Sequence, residues 1–194
     1  YFTVDPMCGS RSFSVRASHG IATTIAMVIG EEIISVYIGD IMTNEIFGYR
    51  PDPDPDYNRV YRISDYDVNE IITPIVRSAD EDRRLLLRGM FHEFPLGIKS
   101  QLESGIDFRS YSIDSGSIAL SFVKLWVGEV DGILLAPKTE TPWDLIPILG
   151  MSKKLGFVFL NAEEAWLGQS LLSLREEYYL PMSIIKDCFL REYP

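Results

Sequence analysis

The chain has 194 residues, is 46% hydrophobic and 12% aromatic, and carries a formal net charge of -10. That much apolar material supports a substantial core, while the acidic balance argues against nucleic acid and anionic membranes as partners. No apolar run approaches the roughly 20 residues that span a bilayer, and two cysteines, Cys8 and Cys188, are too few for a disulfide framework, so a reducing, cytoplasmic setting is the default expectation.

The first residues, "YFTVDPMCGSRSF", are a strand-like run that ends in Asp-Pro and is followed at once by a glycine and two hydroxyls. The chain opens inside that run, so a further portion upstream is expected. Residues 21–29, 33–38 and 44–49 are β-branched, apolar segments separated by turn residues, and predict an antiparallel meander. The Pro-Asp repeats of 50–59 predict a solvated loop. Residues 71–77 predict another strand, with Pro74 marking an edge or a bulge. In 80–91, "DEDRRLLLRGMF", acids precede basic and apolar residues, the order that complements a helix dipole, and a helix is predicted.

The second half alternates. Strands are predicted at 107–113, 131–136 and 157–161, helices at 115–129 and 141–156, and a closing amphipathic helix at 180–194. The change of pattern divides the chain into an antiparallel part, 1–79, and an alternating part, 80–194, within one continuous globular unit. The helices at 115–129 and 141–156 are expected to lie on the second sheet layer.

Three stretches carry a resemblance. "VDPMCGSRSF" resembles the Asp-Pro-Ile-Asp-Gly-Thr-x-Asn-Phe motif of the inositol monophosphatase family of magnesium-dependent sugar and nucleotide phosphatases. "DSGSIALSFVKLWVGEVDG", 114–132, resembles that family's Gly-Ser/Thr-Ala-Ala helix and the Gly-x-x-Asp-Gly turn after it. "PWDLIPILGMSKKLG", 142–156, resembles its Trp-Asp-x-x-Ala-Gly helix. The resemblance implies a mixed α/β (α+β) fold, a layered α-β-α-β-α sandwich. It also implies a phosphomonoesterase of a small phosphorylated sugar, nucleotide or alcohol, with Mg2+ as cofactor; a homodimer is left open.

Carried over residue by residue, the resemblance makes Asp5 the first metal-binding acid, the Met7 carbonyl a backbone ligand and Asp144 the acid of the last motif. Ser10 stands for the hydroxyl that orients the attacking water, and the Gly9 and Ser10 amides face the phosphate. Gly116 and Ser117 would meet substrate at the start of their helix. A glutamate from the family's N-terminal portion completes the set. From the residues alone other readings stay open. Asp5 suits an Asx turn, Ser10 a turn hydroxyl, and Ser115 a cap for the helix that follows. Asp144, three residues after Thr141, suits a capping box with Pro142 at the first helical position. His19 and His92 have no spacing that makes a metal pair or a catalytic triad.

The chain departs from the pattern at three places. Cys8 replaces the second acid, and a thiol is a soft, mostly protonated and poor magnesium ligand; a small buried residue is the simplest reading of it, with a zinc preference or a redox role left open. Pro147 interrupts the last helix and is expected to kink it. No acid stands at 134–137, where inositol-cleaving members carry one. The missing acid argues against inositol phosphate as the substrate, while Cys8, Pro147 and the stretch "KKLGFVFLN" support an alternative, a catalytically impaired relative that binds a phosphorylated ligand or a partner protein.

Overall fold

Six strands hydrogen-bond to one another in the order in which the chain makes them: β1 (Phe2–Cys8), β2 (Ala22–Ile29), β3 (Glu32–Asp40), β4 (Glu45–Tyr49), β5 (Tyr61–Ser64) and β6 (Asp67–Ile71). Every neighbouring pair is antiparallel. The computed structural model describes residues 1–54, 58–64, 67–72, 83–94, 96–104, 110–136, 141–157 and 159, with backbone alone for 67–71 and 101. Strand geometry sends alternate side chains to opposite faces. Ala22, Thr24, Ala26 and Val28 of β2 accordingly turn inward. Opposite them, Val36 and Ile38 of β3 and Tyr49 and Phe47 of β4 continue the same buried face.

A second sheet is parallel, with order β8-β7-β9, from β7 (Arg84–Arg88), β8 (Ser110–Asp114) and β9 (Gly132–Leu135). Its central strand corrects the helix predicted over 80–91. Leu85, Leu86 and Leu87 are all buried. A strand covered on both faces reads as a continuous apolar run, and here tertiary burial outweighs the helix propensity of leucine and arginine. A short helix α1 (Ser10–Ser14) follows β1, and a helix α2 (Leu96–Ser104), not anticipated from the sequence, follows β7. Of the strand expected at 71–77 only Ile71, the end of β6, and Ile72 are described, and the strand at 157–161 and the closing helix fall largely or wholly outside the described residues.

Helix α3 (Ile118–Trp126) packs against β2 and β3 of the first sheet and β9 of the second. Helix α4 (Pro142–Lys154), expected on the second layer, lies instead across β1, β2 and β3 and against α3. One core joins these parts, with Val36, Ile38, Phe47, Phe122, Trp126, Ile148 and Met151 among its residues. Trp126 is fully buried and its indole N–H donates to Ser152 Oγ at 3.1 Å, which satisfies the one polar atom of that side chain.

Gly150 lets α4 approach the sheet. A β-carbon there would lie 2.7 Å from Ile33 Cγ2, 2.8 Å from Val36 Cγ2 and 2.9 Å from the Tyr49 hydroxyl. Gly150→Ala is therefore expected to destabilise the protein. Overpacking of a full core costs about 1–3 kcal/mol, and the gain of about 1 kcal/mol in helix propensity recovers only part of it. Urea unfolding measures the difference; a variant more stable than the parent would show that α4 can lift away freely.

Candidate metal centre

A bulge in β1 builds one side of the centre. Asp5 pairs with Thr24 and Cys8 with Ala22, so four residues of β1 span three of β2. In a regular strand, positions three apart point to opposite faces. The extra residue cancels that, and Asp5 and Cys8 share the inward face of Thr24 and Ala22. The bulge is tied down by Thr23, whose hydroxyl donates to the Pro6 carbonyl at 3.0 Å. The Met7 amide donates to Asp5 Oδ1 at 3.0 Å, the Asx turn foreseen as one reading of Asp5.

Helix α4 supplies the other side. Its N-cap is Thr141, Pro142 opens the first turn, and Asp144 completes a capping box. Both the amide and the hydroxyl of Thr141 donate to Asp144 Oδ2. The other oxygen, Oδ1, lies 4.0 Å from Cys8 Sγ. Helix α4 runs unbroken through Pro147. Proline has no amide to give the Trp143 carbonyl, and Thr24 of β2, buried beneath it, donates its hydroxyl there at 3.5 Å. Pro147 thus frees an acceptor that ties the first turn of α4 to the strand beside the bulge. The outcome is a close group: one ligand atom each from Asp5, Cys8 and Asp144, all within 4.8 Å of one another.

The third wall is the start of α3. Ser117, its N-cap, accepts from the Leu120 amide at 3.3 Å and donates its hydroxyl to Cys8 Sγ at 2.9 Å. The Ala119 amide is a second donor to that sulfur. The Ser117 amide itself donates to the Gly20 carbonyl at 2.8 Å, and the Gly116 amide to Asp114 Oδ1 at 3.0 Å. Ser117 is 1% exposed. The amides of both residues and the Ser117 hydroxyl have partners inside the protein. Gly9, Gly20 and Gly116 interlock here, and sequence reasoning did not single out Gly20. Its φ of +77° is the one local feature that requires glycine, and its close neighbour Gly116 comes from far along the chain. Ser10 is exposed at the first turn of α1, beyond Gly9, and Met7 is exposed in the bulge. His19 and His92 are both exposed.

Burial pushes the Asp5 carboxyl above its usual range; the Met7 amide opposes this and the charge of Asp144 adds to it. Burial likewise pushes the Cys8 thiol up, against the Ala119 amide and the Ser117 hydroxyl, which favour the anion. Two acids therefore face each other without a cationic side chain beside them among the described residues. A divalent cation is the natural complement. Magnesium is a hard ion that takes oxygen. The two carboxylates suit it; the thiol does not, so the donor set fits magnesium incompletely.

Asp114 anchors this wall from behind. Burial disfavours its charge, but Lys124 at 2.8 Å, the Gly116 amide and Arg88 outweigh that and hold its carboxyl below the usual range. A depressed folded-state pKa contributes stability above the unfolded value, 3.8, and loses it as pH falls through the folded one. Asp114→Asn is expected to cost about 1 kcal/mol at pH 7. Its deficit should vanish on acidification below that window. Denaturant melts across pH check this, and a deficit that persists at low pH would assign the loss to packing.

The described residues form a layered α+β fold of an antiparallel and a parallel sheet, with an acidic group where a bulged strand meets a helix N-terminus. No protein-family model and no curated protein sequence matches the chain. Solved structures do match. Inositol monophosphatase II from Staphylococcus aureus MSSA476 is 20% identical with a TM-score of 0.59, over 81% of this chain and 56% of that one. SuhB of Mycobacterium tuberculosis is 13% identical with a TM-score of 0.62, over 84% and 63%. An IMPase/NADP phosphatase complexed with Mg2+ and phosphate is 12% identical with a TM-score of 0.58, over 80% and 53%. The chain has the inositol monophosphatase fold, and it spans little more than half the length of these structures. Among the described residues no helix is long and apolar enough to cross a membrane.

Proposed function

We propose that the chain is a divalent-cation-dependent phosphomonoesterase acting on a small phosphorylated sugar, nucleotide or related alcohol in the cytoplasm. The observation that carries this reading is the convergence of Asp5 and Asp144, far apart in sequence, with Cys8 between them. Unpaired carboxylates repel, so bringing two together at the end of a strand and the start of a helix serves a cation. Asp5, Asp144 and the Met7 carbonyl would hold it; when bound, such an ion supplies charge against the phosphoryl oxygens and acidifies a water. The remaining work belongs to the chain. The Asx turn and the Thr141 capping box hold each carboxylate in one orientation. Gly9, with no β-carbon and a φ of +93°, lets the turn after β1 pack against the Gly20 carbonyl, and its amide would face the phosphate. Ser10, exposed beside it, would orient an attacking water.

The ligands of the similar structures support the substrate class: an IMPase-II was solved with inositol monophosphate and with 2'AMP. Phosphate release from a panel of sugar phosphates, inositol monophosphate and 2'AMP, with magnesium, manganese or zinc, tests the proposal. Release that is abolished by chelator supports it. The buried thiol of Cys8 favours the second reading, a relative that binds such ligands without hydrolysing them. Cation-dependent binding of 2'AMP with no release from any substrate would establish that reading instead.

A further inference from the structure

Cys8 is the residue that the fold's usual cation leaves unexplained. It is 2% exposed, yet its sulfur is not packed as a plain apolar filler. Two donors reach it, the Ser117 hydroxyl at 2.9 Å and the Ala119 amide, both from the N-terminus of α3. These donors favour the anion, while burial pushes the thiol up, so the case for a cation rests on the three ligand atoms that converge here. Two carboxylates stand within 4.8 Å of the same atom. A thiolate between two carboxylates is stable only with a cation among them.

We infer that this centre selects zinc over magnesium, with Asp5, Cys8 and Asp144 as its three protein ligands. The inference rests on the cation-binding part of the proposed function and does not require hydrolysis. Zinc accepts sulfur and oxygen together and is content with four ligands, whereas magnesium demands near-octahedral oxygen. Three protein ligands leave one position open, the arrangement of catalytic rather than structural zinc. Zinc–oxygen and zinc–sulfur bonds of about 2.0–2.3 Å place ligand atoms roughly 3.4–3.7 Å apart around a tetrahedral ion. The observed separations need close by only about 1 Å, within reach of small side-chain rotations. On binding, a zinc–sulfur bond forms, the S–H bond breaks and its proton leaves to solvent; no electrons are transferred. The Ser117 and Ala119 donors remain as the outer contacts that orient the sulfur, as partners behind metal ligands do. The Met7 amide and Thr141 hold the two carboxylates near their place through that small closure.

Cobalt(II) serves as the spectroscopic probe, because a cobalt–thiolate bond gives a charge-transfer band that oxygen ligands do not. The chain has two cysteines, so the experiment uses Cys188→Ala, in which only Cys8 can produce the band. The expected results are a band in Cys188→Ala and its absence in Cys188→Ala/Cys8→Ser. Zinc affinity of the double variant should fall by more than the 10- to 100-fold, approximately, that loss of an outer partner costs. Cys8→Asp, which restores hard oxygen, should tighten magnesium and shift the zinc-to-magnesium preference by at least about tenfold toward magnesium. Absence of the band in Cys188→Ala overturns the inference, as does a zinc affinity unchanged by Cys8→Ser in a folded variant. A band with no phosphate release from any substrate sinks the phosphatase reading and leaves the zinc preference standing.

Discussion

Gly9→Ala is expected to cost this protein about 3 kcal/mol or more and to dismantle the centre with it. The φ of +93° charges any β-carbon about 1–2 kcal/mol before contacts are considered. The contacts are worse. The new carbon would lie 2.1 Å from the Gly20 carbonyl oxygen and 2.9 Å from the Ser117 amide nitrogen. Neither atom can step aside alone, since that oxygen accepts from that nitrogen at 2.8 Å. Backbone must therefore move, either the turn after β1 or the start of α3. Both carry the centre, since Cys8 precedes Gly9 and the Ser117 hydroxyl holds its sulfur. Gly30→Ala is the matched control, with a φ of +62° and nothing within 4 Å of the added carbon. It should lose only the conformational cost of about 1 kcal/mol. Urea unfolding of the two variants, with zinc binding on each, separates strain from collision. Equal losses would mean that the three glycines do not interlock as described.

The meander was legible because it is governed locally: alternation in 21–29 and 33–38 assigns each side chain to a face without reference to anything distant. The central strand of the second sheet was not. "RRLLLR" is a good helix by propensity, and what makes it a strand is burial between β8 and β9, whose sequences lie downstream. Helix α2 escaped notice because "LGIKSQLES" has a glycine at its second position and little segregation of apolar residues. For the centre, Asp5, Cys8 and Asp144 stood out by motif, and the capping role of Asp144 by the Thr141 spacing. Their convergence was an expectation; the means of it were invisible. A one-residue bulge, a hydroxyl on β2 meeting a carbonyl that Pro147 leaves without a donor, and a glycine at position 20 are all pairings between distant segments. Pro147 is instructive here. Taken alone it reads as a defect in a helix; with Thr24 beneath it, it is a joint.

Asp144→Asn is the second large effect, and it falls on cation binding rather than on the fold. The capping interactions ask Asp144 for an acceptor, and the amide oxygen of asparagine can still accept from Thr141. Asparagine then turns its NH2 toward Cys8 and Asp5, where the carboxylate had presented Oδ1. A donor replaces a ligand at the place where the cation sits. Loss of the charge in the capping box costs about 1 kcal/mol or less. Against that, Asp144 is one of the groups that raise the Asp5 carboxyl, so its removal relieves a repulsion at neutral pH. The two changes oppose each other, and the thermal midpoint of the metal-free protein should move by only a few degrees. Zinc and magnesium affinities should both fall by at least about 100-fold, beyond what loss of an outer contact produces, and any phosphate release should fall with them. Exposed Trp143→Ala, one residue away, should leave cation binding within about threefold. Calorimetric titration and melting curves of the three proteins decide the matter. If Asp144→Asn binds cations as tightly as the parent, Asp144 is a helix cap alone and the centre lies elsewhere.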